Sequence, residues 1–158
     1  MQEGKNLSKQ RTDEGSRIYR SEAIWFEPSK GIELECDFDD IMIVSNSGYI
    51  EIIINNLLSN AIKFTDKNGK ITVSLKSISG GAEIKVSDTG CGISSETGKR
   101  IFEKFYQGET SHTGEGNGLG LALVKRVIDI MGGEISVTSE VDYGSTFTVV
   151  LKNVEKDI

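Results

Sequence analysis

The chain has 158 residues, of which 37% are hydrophobic and 7% aromatic, enough to bury one core in one globular domain. Its 18 basic and 24 acidic residues give a formal net charge of −6, which argues against nucleic acid or an anionic membrane as a partner. The sequence has no run of about 18 apolar residues and no apolar signal core, and its cysteines lack metal or redox spacing. We therefore expect a reducing, cytoplasmic location without direct membrane contact.

The first part of the chain contains one clear strand. Residues 1–17 mix charges with Gly and Ser and hold few apolar groups, which predicts a flexible N-terminal tail or a non-native remnant, with the domain over 18–158. Residues 18–30 favour a short helix that ends near Pro28. Over 32–38, apolar residues alternate with acidic ones, which is typical of a half-buried strand.

A long amphipathic helix and a hairpin follow. Apolar residues recur at i, i+3, i+4 and i+7 over 50–62, the pattern of a helix with one buried face. Strands predicted at 71–75 and 82–86 flank a Ser-Gly-Gly turn, which indicates a β-hairpin. The loop-rich region after this hairpin contains one short helix, expected near 99–105.

The C-terminal part repeats the combination of helix and hairpin. A helix predicted over 118–131 ends at a Gly-Gly pair, and strands predicted over 135–141 and 146–151 meet at an Asp-Tyr-Gly turn. Two long helices combined with hairpins predict an α+β fold. We expect a two-layer α/β sandwich with the helices packed on one face of a mixed, largely antiparallel sheet.

Three polar residues of the first long helix lie on one of its sides. Asn56, Asn60 and Lys63 are spaced by four and then three residues, at the rim of the apolar stripe. Carboxamide oxygens can ligate a hard cation such as Mg²⁺, and a lysine can supply positive charge to a phosphate. A solvated helix flank explains the same spacing, so the pattern alone leaves both interpretations open.

Asp88 ends the second strand of the first hairpin on its inward-facing side, where a carboxylate requires a hydrogen-bond donor. The glycines of the turn D-T-G-C-G-I (residues 88 to 93) permit close approach of a flat ligand, whose exocyclic amino group could be that donor. The alternative is an ordinary Asx-type turn after a strand.

Four alternating glycines precede or open the last helix, in the sequence G-E-G-N-G-L-G-L (residues 114 to 121). Backbone amides at a helix N-terminus bind anions, and glycines leave room for phosphate oxygens. The segment matches neither the P-loop nor the dinucleotide fingerprint. A flexible linker is the alternative interpretation.

The order of these motifs resembles the nucleotide-binding boxes of two-component sensor histidine kinases. The resemblance covers most of residues 30–151 and implies the Bergerat ATP-binding fold shared with gyrase, Hsp90 and MutL ATPases. The segments that carry it are N-N-L-L-S-N-A-I-K-F-T (55 to 65), D-T-G-C-G-I (88 to 93), I-F-E-K-F-Y (101 to 106), G-E-G-N-G-L-G-L (114 to 121) and G-S-T-F (144 to 147).

The resemblance implies roles for individual residues. Asn60 would be the principal Mg²⁺ ligand, while Asn56 and Lys63 would be the catalytic groups at metal and phosphate. Asp88 would accept the adenine amino hydrogen, and Thr146 would join its polar network, although strand parity groups Thr146 with residues of the other face. The remaining contacts, under a lid at residues 107–117, would come from Phe64, Gly90, Gly92, Ile93, Gly116, Gly118, Leu119 and Gly120.

Two positions depart from the patterns of related proteins, and this sequence contains no phosphoacceptor histidine segment of the kind that precedes the nucleotide domain in histidine kinases. ATP-hydrolysing members have a glutamate where this chain has Asn56, which cannot act as a carboxylate base, so direct ATP hydrolysis is disfavoured. Many histidine kinases have arginine where this chain has Gln107, and Lys99, Lys104 or a lid residue could substitute for it. His112 lies in the predicted lid and outside any phosphoacceptor-type motif, so we expect a lid residue rather than an acceptor.

The sequence therefore predicts the ATP-binding catalytic domain of a sensor histidine kinase. By the resemblance, this monomeric domain would bind ATP or ADP with Mg²⁺. It would donate the γ-phosphoryl group to a histidine on a separate dimerisation domain of the same full-length protein, upstream of a response regulator. Two alternatives are an anti-sigma-type serine protein kinase and a nucleotide-binding module without transfer activity.

Overall fold

The computed structural model of the protein describes residues 8–13, 16–20, 24–27, 30–39, 41–44, 47–104 and 120–152. The helices in these ranges are α1 (Ser47–Phe64), α2 (Ser95–Gly98) and α3 (Gly120–Ile130). The strands are β1 (Ser8–Asp13), β2 (Ser16–Arg20), β3 (Ile24–Glu27), β4 (Ile32–Phe38), β5 (Ile41–Val44), β6 (Lys70–Ile78), β7 (Gly81–Asp88), β8 (Glu134–Glu140) and β9 (Gly144–Lys152).

These strands form two sheets. The larger has six strands in the spatial order β3-β4-β6-β7-β9-β8, and the smaller has the order β1-β2-β5. In the larger sheet β4 and β6 are parallel and each of the other neighbouring pairs is antiparallel. The prediction of a mixed, largely antiparallel sheet is confirmed.

Both predicted hairpins are present in the larger sheet. In the first, β6 and β7 pair from Ile71 opposite Asp88 to Ile78 opposite Gly81, and Gly80 in the turn adopts a φ of 77°. In the second, Glu140 of β8 lies opposite Gly144 of β9. The alternation of apolar and polar residues sets this register, because a shift of one residue would turn the buried side chains towards solvent.

The hydrophobic core lies between α1, α3 and one face of the six-stranded sheet. The opposite face carries polar and charged side chains that alternate with the buried ones, so the helices cover one face only. The predicted α+β, two-layer arrangement is thus confirmed. The buried apolar side chains include Ile50, Ile53, Ile54, Leu57, Ala61, Ile71, Val73, Leu75, Ala82, Ile84, Val86, Val124, Val127, Ile128, Phe147, Val149 and Leu151.

The helix boundaries follow local capping signals. Helix α3 ends in a Schellman motif: Gly132 has a φ of 70°, and the backbone N–H of Gly133 donates to Ile128 O at 2.9 Å. The short helix expected near 99–105 lies earlier, at Ser95–Gly98, because the Ser94 hydroxyl accepts the Thr97 N–H and caps it there. Residues 118 and 119, at the predicted start of α3, lie outside the described residues.

The N-terminal region differs from its prediction. Residues 8–13 and 16–20 are strands rather than flexible chain, and 24–27 is a strand where a helix was predicted over 18–30. Backbone pairing explains the difference: β2 pairs with the more distant β5, while β1 with β2 and β3 with β4 are antiparallel neighbours in the chain. The boundary between tail and domain after residue 17 stays a prediction.

Candidate functional site

Helix α1 presents the three polar residues expected at the site. Asn56, Asn60 and Lys63 are half-buried at the edge of the face that packs on the core. The Asn56 amide nitrogen donates to Ile52 O at 2.7 Å, one turn earlier. This hydrogen bond holds the Asn56 side chain along the helix and leaves its carboxamide oxygen directed elsewhere.

The Asn56 oxygen faces the start of α3. A Cβ placed on Gly120 would lie 3.0 Å from Asn56 Oδ1, so a side chain there would require the Asn56 amide to shift slightly. The first residue of α3 and the polar rim of α1 therefore meet at one place. The exposed backbone N–H groups of a helix start attract anions, and a carboxamide oxygen attracts cations. A phosphate and its metal ion could therefore both bind here.

The last turn of α1 contacts the turn that follows β7. The Lys63 ammonium lies 5.2 Å from the centroid of the neighbouring Phe64 ring, a cation-π distance. The Phe64 carbonyl accepts the Cys91 N–H at 3.4 Å, and a Cβ on Gly90 would come within 2.4 Å of the same oxygen. Gly90 thus permits close packing of the turn against α1.

Lys30 caps the same end of α1. Its ammonium donates to Ile62 O at 2.9 Å, Lys63 O at 3.1 Å and Thr65 O at 3.2 Å. A cation there satisfies carbonyls that lack an intrahelical partner and opposes the negative end of the helix dipole. No motif in the sequence points to Lys30, which precedes Gly31 and lies beside the start of β4.

Asp88 lies half-buried at the end of β7. Its Oδ1 accepts the Gly90 N–H at 2.9 Å, which is the Asx turn considered as the alternative interpretation. Burial raises the pKa of the Asp88 carboxyl above its ordinary value of 3.8, whereas hydrogen bonds from the Gly90 and Ser145 backbone lower it. The Asx turn and a ligand-binding role are compatible, because a carboxylate has about four acceptor sites.

Gly92 brings the turn against the second hairpin. Its φ is 72°, and a Cβ there would lie 2.1 Å from Glu140 O, so a side chain would force the two segments apart. The Cys91 carbonyl accepts the Asp142 N–H at 2.8 Å, and the Ile93 N–H donates to the Ser139 hydroxyl at 2.7 Å. The segment predicted to form the base pocket is therefore held from both sides.

The expectation that Thr146 joins the polar network of Asp88 is wrong. Ser145, not Thr146, lies directly opposite Asp88 and shares its face of the sheet. Thr146 is on the other face, where its hydroxyl is 3.0 Å from the hydroxyl of Ser87. Strand alternation is the signal that identifies Ser145, since the buried residues Phe147, Val149 and Leu151 have the same parity.

Phe102 of the segment I-F-E-K-F-Y packs on the hydrophobic core. The Phe102 ring meets the buried Phe147 ring edge to face, with centroids 6.4 Å apart and an interplanar angle of 83°. Phe102 therefore links this segment to the strand that carries Ser145. Lys99 and Lys104, considered as substitutes for a lid arginine, are both exposed.

Part of the predicted site lies outside the described residues. These are three of the proposed phosphate-binding residues and the whole predicted lid, including the glutamine at the usual arginine position and the lid histidine. They are Gly116, Gly118, Leu119, residues 107–117, Gln107 and His112.

Comparison with known proteins identifies the family. The family described as Histidine kinase-, DNA gyrase B-, and HSP90-like ATPase matches residues 45–155. The heme sensor protein HssS of Staphylococcus saprophyticus is 36% identical over 129 residues, which are 82% of this chain and 28% of that protein. The HssS protein of Staphylococcus aureus is 35% identical over 78% of this chain and 27% of its own length.

Solved structures of sensor histidine kinases have the same fold. The mycobacterial sensor histidine kinase MprB superposes with a TM-score of 0.74 at 29% identity, over 80% of this chain and 86% of that one. Full-length ShkA in complex with AMPPNP gives a TM-score of 0.72 at 32% identity, over 82% of this chain and 27% of that one.

The fold and the site define a two-layer α+β domain of the histidine kinase catalytic type. The chain belongs to the histidine kinase-, DNA gyrase B- and HSP90-like ATPase family, as its ordered motifs indicated. It spans little more than a quarter of the length of the HssS proteins that it matches. None of the helices in the described ranges is long and apolar enough to cross a membrane.

Proposed function

We propose that this domain binds Mg²⁺-ATP between α1, the turn after β7 and the start of α3, and donates the γ-phosphoryl group to a histidine on a separate dimerisation domain. The observation that carries the proposal is the approach of Asn56 Oδ1 to Gly120, which joins a candidate metal-binding side chain to a helix start. The transfer from kinase to response regulator would follow in a two-component pathway.

Base recognition is assigned to Asp88. Its half-buried carboxylate offers acceptors at the start of a turn that Gly90 and Gly92 allow to pack closely against α1 and the second hairpin. Adenine presents an amino group that can donate to such a carboxylate. Ile93 and Phe64, both half-buried beside this turn, would contribute apolar contact with the base.

The donor set near α1 fits Mg²⁺. Asn56 and Asn60 supply neutral carboxamide oxygens, and the described residues contain no group of three or more His, Cys, Asp or Glu that could hold a metal alone. Mg²⁺ commonly takes few protein ligands and keeps waters and substrate phosphates. When bound, the ion would neutralise phosphate charge, while Lys63 and the amides that open α3 would hold the phosphates.

Asn56 also favours transfer to a protein over hydrolysis. Its amide nitrogen is committed to Ile52 O, and a carboxamide cannot accept a proton from an attacking water as a carboxylate can. The site would thus orient ATP and leave activation of the acceptor to the partner domain.

The binding part of the proposal is tested by calorimetric titration of a non-hydrolysable ATP analogue, with and without Mg²⁺. We expect saturable binding that Mg²⁺ strengthens and that Asp88→Asn abolishes. Asp129→Asn is the matched control, because Asp129 is exposed and pairs with Lys125 on α3. Failure of the folded wild type to bind at millimolar nucleotide would refute a nucleotide-binding function.

The transfer part is tested with ATP labelled at the γ-phosphate and the full-length protein that contains this domain. Acid-labile, base-stable label on the protein indicates phosphohistidine and supports the proposal. Acid-stable label indicates a serine kinase instead, and ATP binding without any labelling indicates a module without transfer activity.

A further inference from the structure

Lys30 connects the segment before β4 to the end of α1, and the proposed function assigns it no role. The last carbonyls of an α-helix have no partner within the helix. In α1 two of them, those of Ile62 and Lys63, accept hydrogen bonds from the Lys30 ammonium at 2.9 and 3.1 Å. The Thr65 carbonyl, just beyond the helix, accepts a third at 3.2 Å. An ammonium group has three hydrogens and only donates, so these bonds use all the donors of Lys30.

The other two carbonyls at this end of α1 have different partners. Ala61 O accepts the Thr65 N–H at 3.0 Å and the Thr65 hydroxyl at 2.6 Å. Phe64 O accepts the Cys91 N–H of the turn after β7. The carbonyls before and after that of Phe64 are both held by Lys30. Lys30 therefore restrains the part of α1 that meets this turn.

The backbone of Lys30 is also fixed in place. Lys30 is half-buried, and its carbonyl accepts the Asn68 N–H at 2.8 Å. Gly31, the next residue, has a φ of 63°, and a Cβ there would lie 2.9 Å from Asn68 Oδ1, so the segment lies close to the loop after α1. The main chain and the side chain of Lys30 thus contact the same region, one the loop and the other the helix end.

The hydrogen bond between the Phe64 carbonyl and the Cys91 amide is long. Its 3.4 Å exceeds the usual range of about 2.7–3.2 Å for an N–H···O bond, so it is a weak restraint on the helix end. The shorter bonds to the Lys30 ammonium supply stronger ones. Loss of that ammonium would leave three carbonyls to water, and a helix end without its cap opens more readily.

We propose that Lys30 is a positioning residue for nucleotide binding: by capping α1, it holds Phe64 in place against the turn that begins at Asp88. This inference rests on the proposed function, in which Phe64 contacts the base and Asp88 binds its amino group. The donors of Lys30 are committed to carbonyls, so Lys30 acts through Phe64 and not by contact with the nucleotide. Its removal should therefore cost affinity only where the Phe64 ring contributes to binding.

The test is a double-mutant cycle on the Kd of Mg²⁺-ADP, measured in the absence of denaturant on folded protein. We expect Lys30→Met to raise this Kd about tenfold, which corresponds to a binding-competent population of about one tenth. In the Phe64→Ala background the same change should raise the Kd no more than about twofold, because the residue through which Lys30 acts is gone. Lys30→Arg retains a charged donor and should recover most of the affinity.

Lys67→Met is the matched control, because it removes the same charge at an exposed position just beyond the helix and should leave the Kd unchanged. The tenfold loss in Lys30→Met should also persist at high salt, which screens a long-range effect of charge on the anionic ligand. A loss that disappears at high salt, or that is equally large in the Phe64→Ala background, would overturn the proposal.

A purely structural role of Lys30 gives a different result. Lys30→Met would then unfold more readily but, while folded, would bind Mg²⁺-ADP with the Kd of the wild type, which would also overturn the proposal. This comparison needs no second substitution and decides the question should Phe64→Ala not fold. Absence of ADP binding by the folded wild type would refute the proposed function itself, a result distinct from each of these.

Discussion

Asn56 of α1 and Gly120 of α3 approach so closely that a methyl group on Gly120 would lie 3.0 Å from the Asn56 carboxamide oxygen. The contact joins the helix that carries the candidate metal ligands to the first residue of the helix proposed to face the phosphates. Because the Asn56 amide nitrogen also donates to Ile52 O, a shift of the carboxamide oxygen would strain that hydrogen bond. The distance between the two helices is therefore coupled to the orientation of a proposed catalytic side chain.

Gly120→Ala should weaken nucleotide binding without lowering the free energy of unfolding. Alanine favours a helix over glycine by up to about 1 kcal/mol, so the free energy of unfolding should stay equal or rise. The added methyl displaces the Asn56 oxygen, and we expect Mg²⁺-ATP to bind about tenfold more weakly, with adenosine little affected. Calorimetry and thermal unfolding measure the two effects. Gly98→Ala, at a helical glycine with open space around it, is the control for the substitution itself.

Asp88→Asn should stabilise the nucleotide-free domain at neutral pH while removing base recognition. Burial raises the folded-state pKa of Asp88 above 3.8, so its ionised form opposes folding. The protonated carboxyl does not carry this penalty. Its contribution to stability is fully present below the unfolded-state pKa and is lost as pH rises through the folded-state pKa. The stability advantage of Asp88→Asn should accordingly be greatest near pH 7 and shrink as pH falls towards 3.8. Urea unfolding at several pH values measures it, and a constant difference would contradict the assignment.

Base recognition by Asp88 has its own pH dependence. The amino group of adenine donates to the ionised carboxylate, so affinity should decrease as pH falls through the raised pKa of Asp88. Loss of a hydrogen bond to a charged group is worth about 1.5–3 kcal/mol, or roughly ten- to a hundredfold in Kd. Fluorescent-nucleotide titrations at pH values on both sides of the Asp88 pKa should show this decrease in the wild type. Asp129→Asn, which changes an exposed carboxylate that pairs with Lys125 on α3, should give the same pH dependence.

The elements with regular hydrophobic periodicity were predictable from the sequence. The stripe of α1, the two hairpins and the Gly132-Gly133 stop each depend on neighbours close in the chain. Strand β2 pairs with the more distant β5, whereas β1 with β2 and β3 with β4 are neighbours in the chain. These strands were not predicted because β1, β2 and β3 lack a regular alternation of apolar and polar residues.

The motif order predicted the position of Asp88 at a strand end but not the position of every side chain near it. Asp88 ends β7, and Gly90 and Gly92 lie in the turn that follows, whereas Thr146 lies one residue away from the position opposite Asp88. A shift of one residue in a strand changes the face, so strand parity is a better guide than motif position. Lys30 could not be found because three carbonyls distant in sequence become its partners only in the folded chain.

Phe102→Ala should destabilise the domain by about 2 kcal/mol. This is below the roughly 3–5 kcal/mol typical of a fully buried phenylalanine, because Phe102 is half-buried, and it includes the edge-to-face contact with Phe147. Phe102→Leu retains much of the volume and should recover part of the loss. Lys104→Ala, at a neighbouring exposed position, should stay within about 0.5 kcal/mol of wild type. Chemical unfolding measures all three, and equal stabilities for the two alanine variants would refute this role of the aromatic pair.

Lys30→Met should loosen the end of α1 that carries Lys63 and Phe64. Methionine keeps the apolar stem but lacks the ammonium that donates to three carbonyls, so we expect a loss of about 1–2 kcal/mol in the free energy of unfolding. Hydrogen exchange should quicken at the Thr65 amide, which bonds to Ala61 O in this last turn. Lys67→Met, at an exposed position just beyond the helix, removes the same charge without the cap. Equal exchange rates in the two variants would show that net charge, rather than capping by Lys30, determines the stability of this turn.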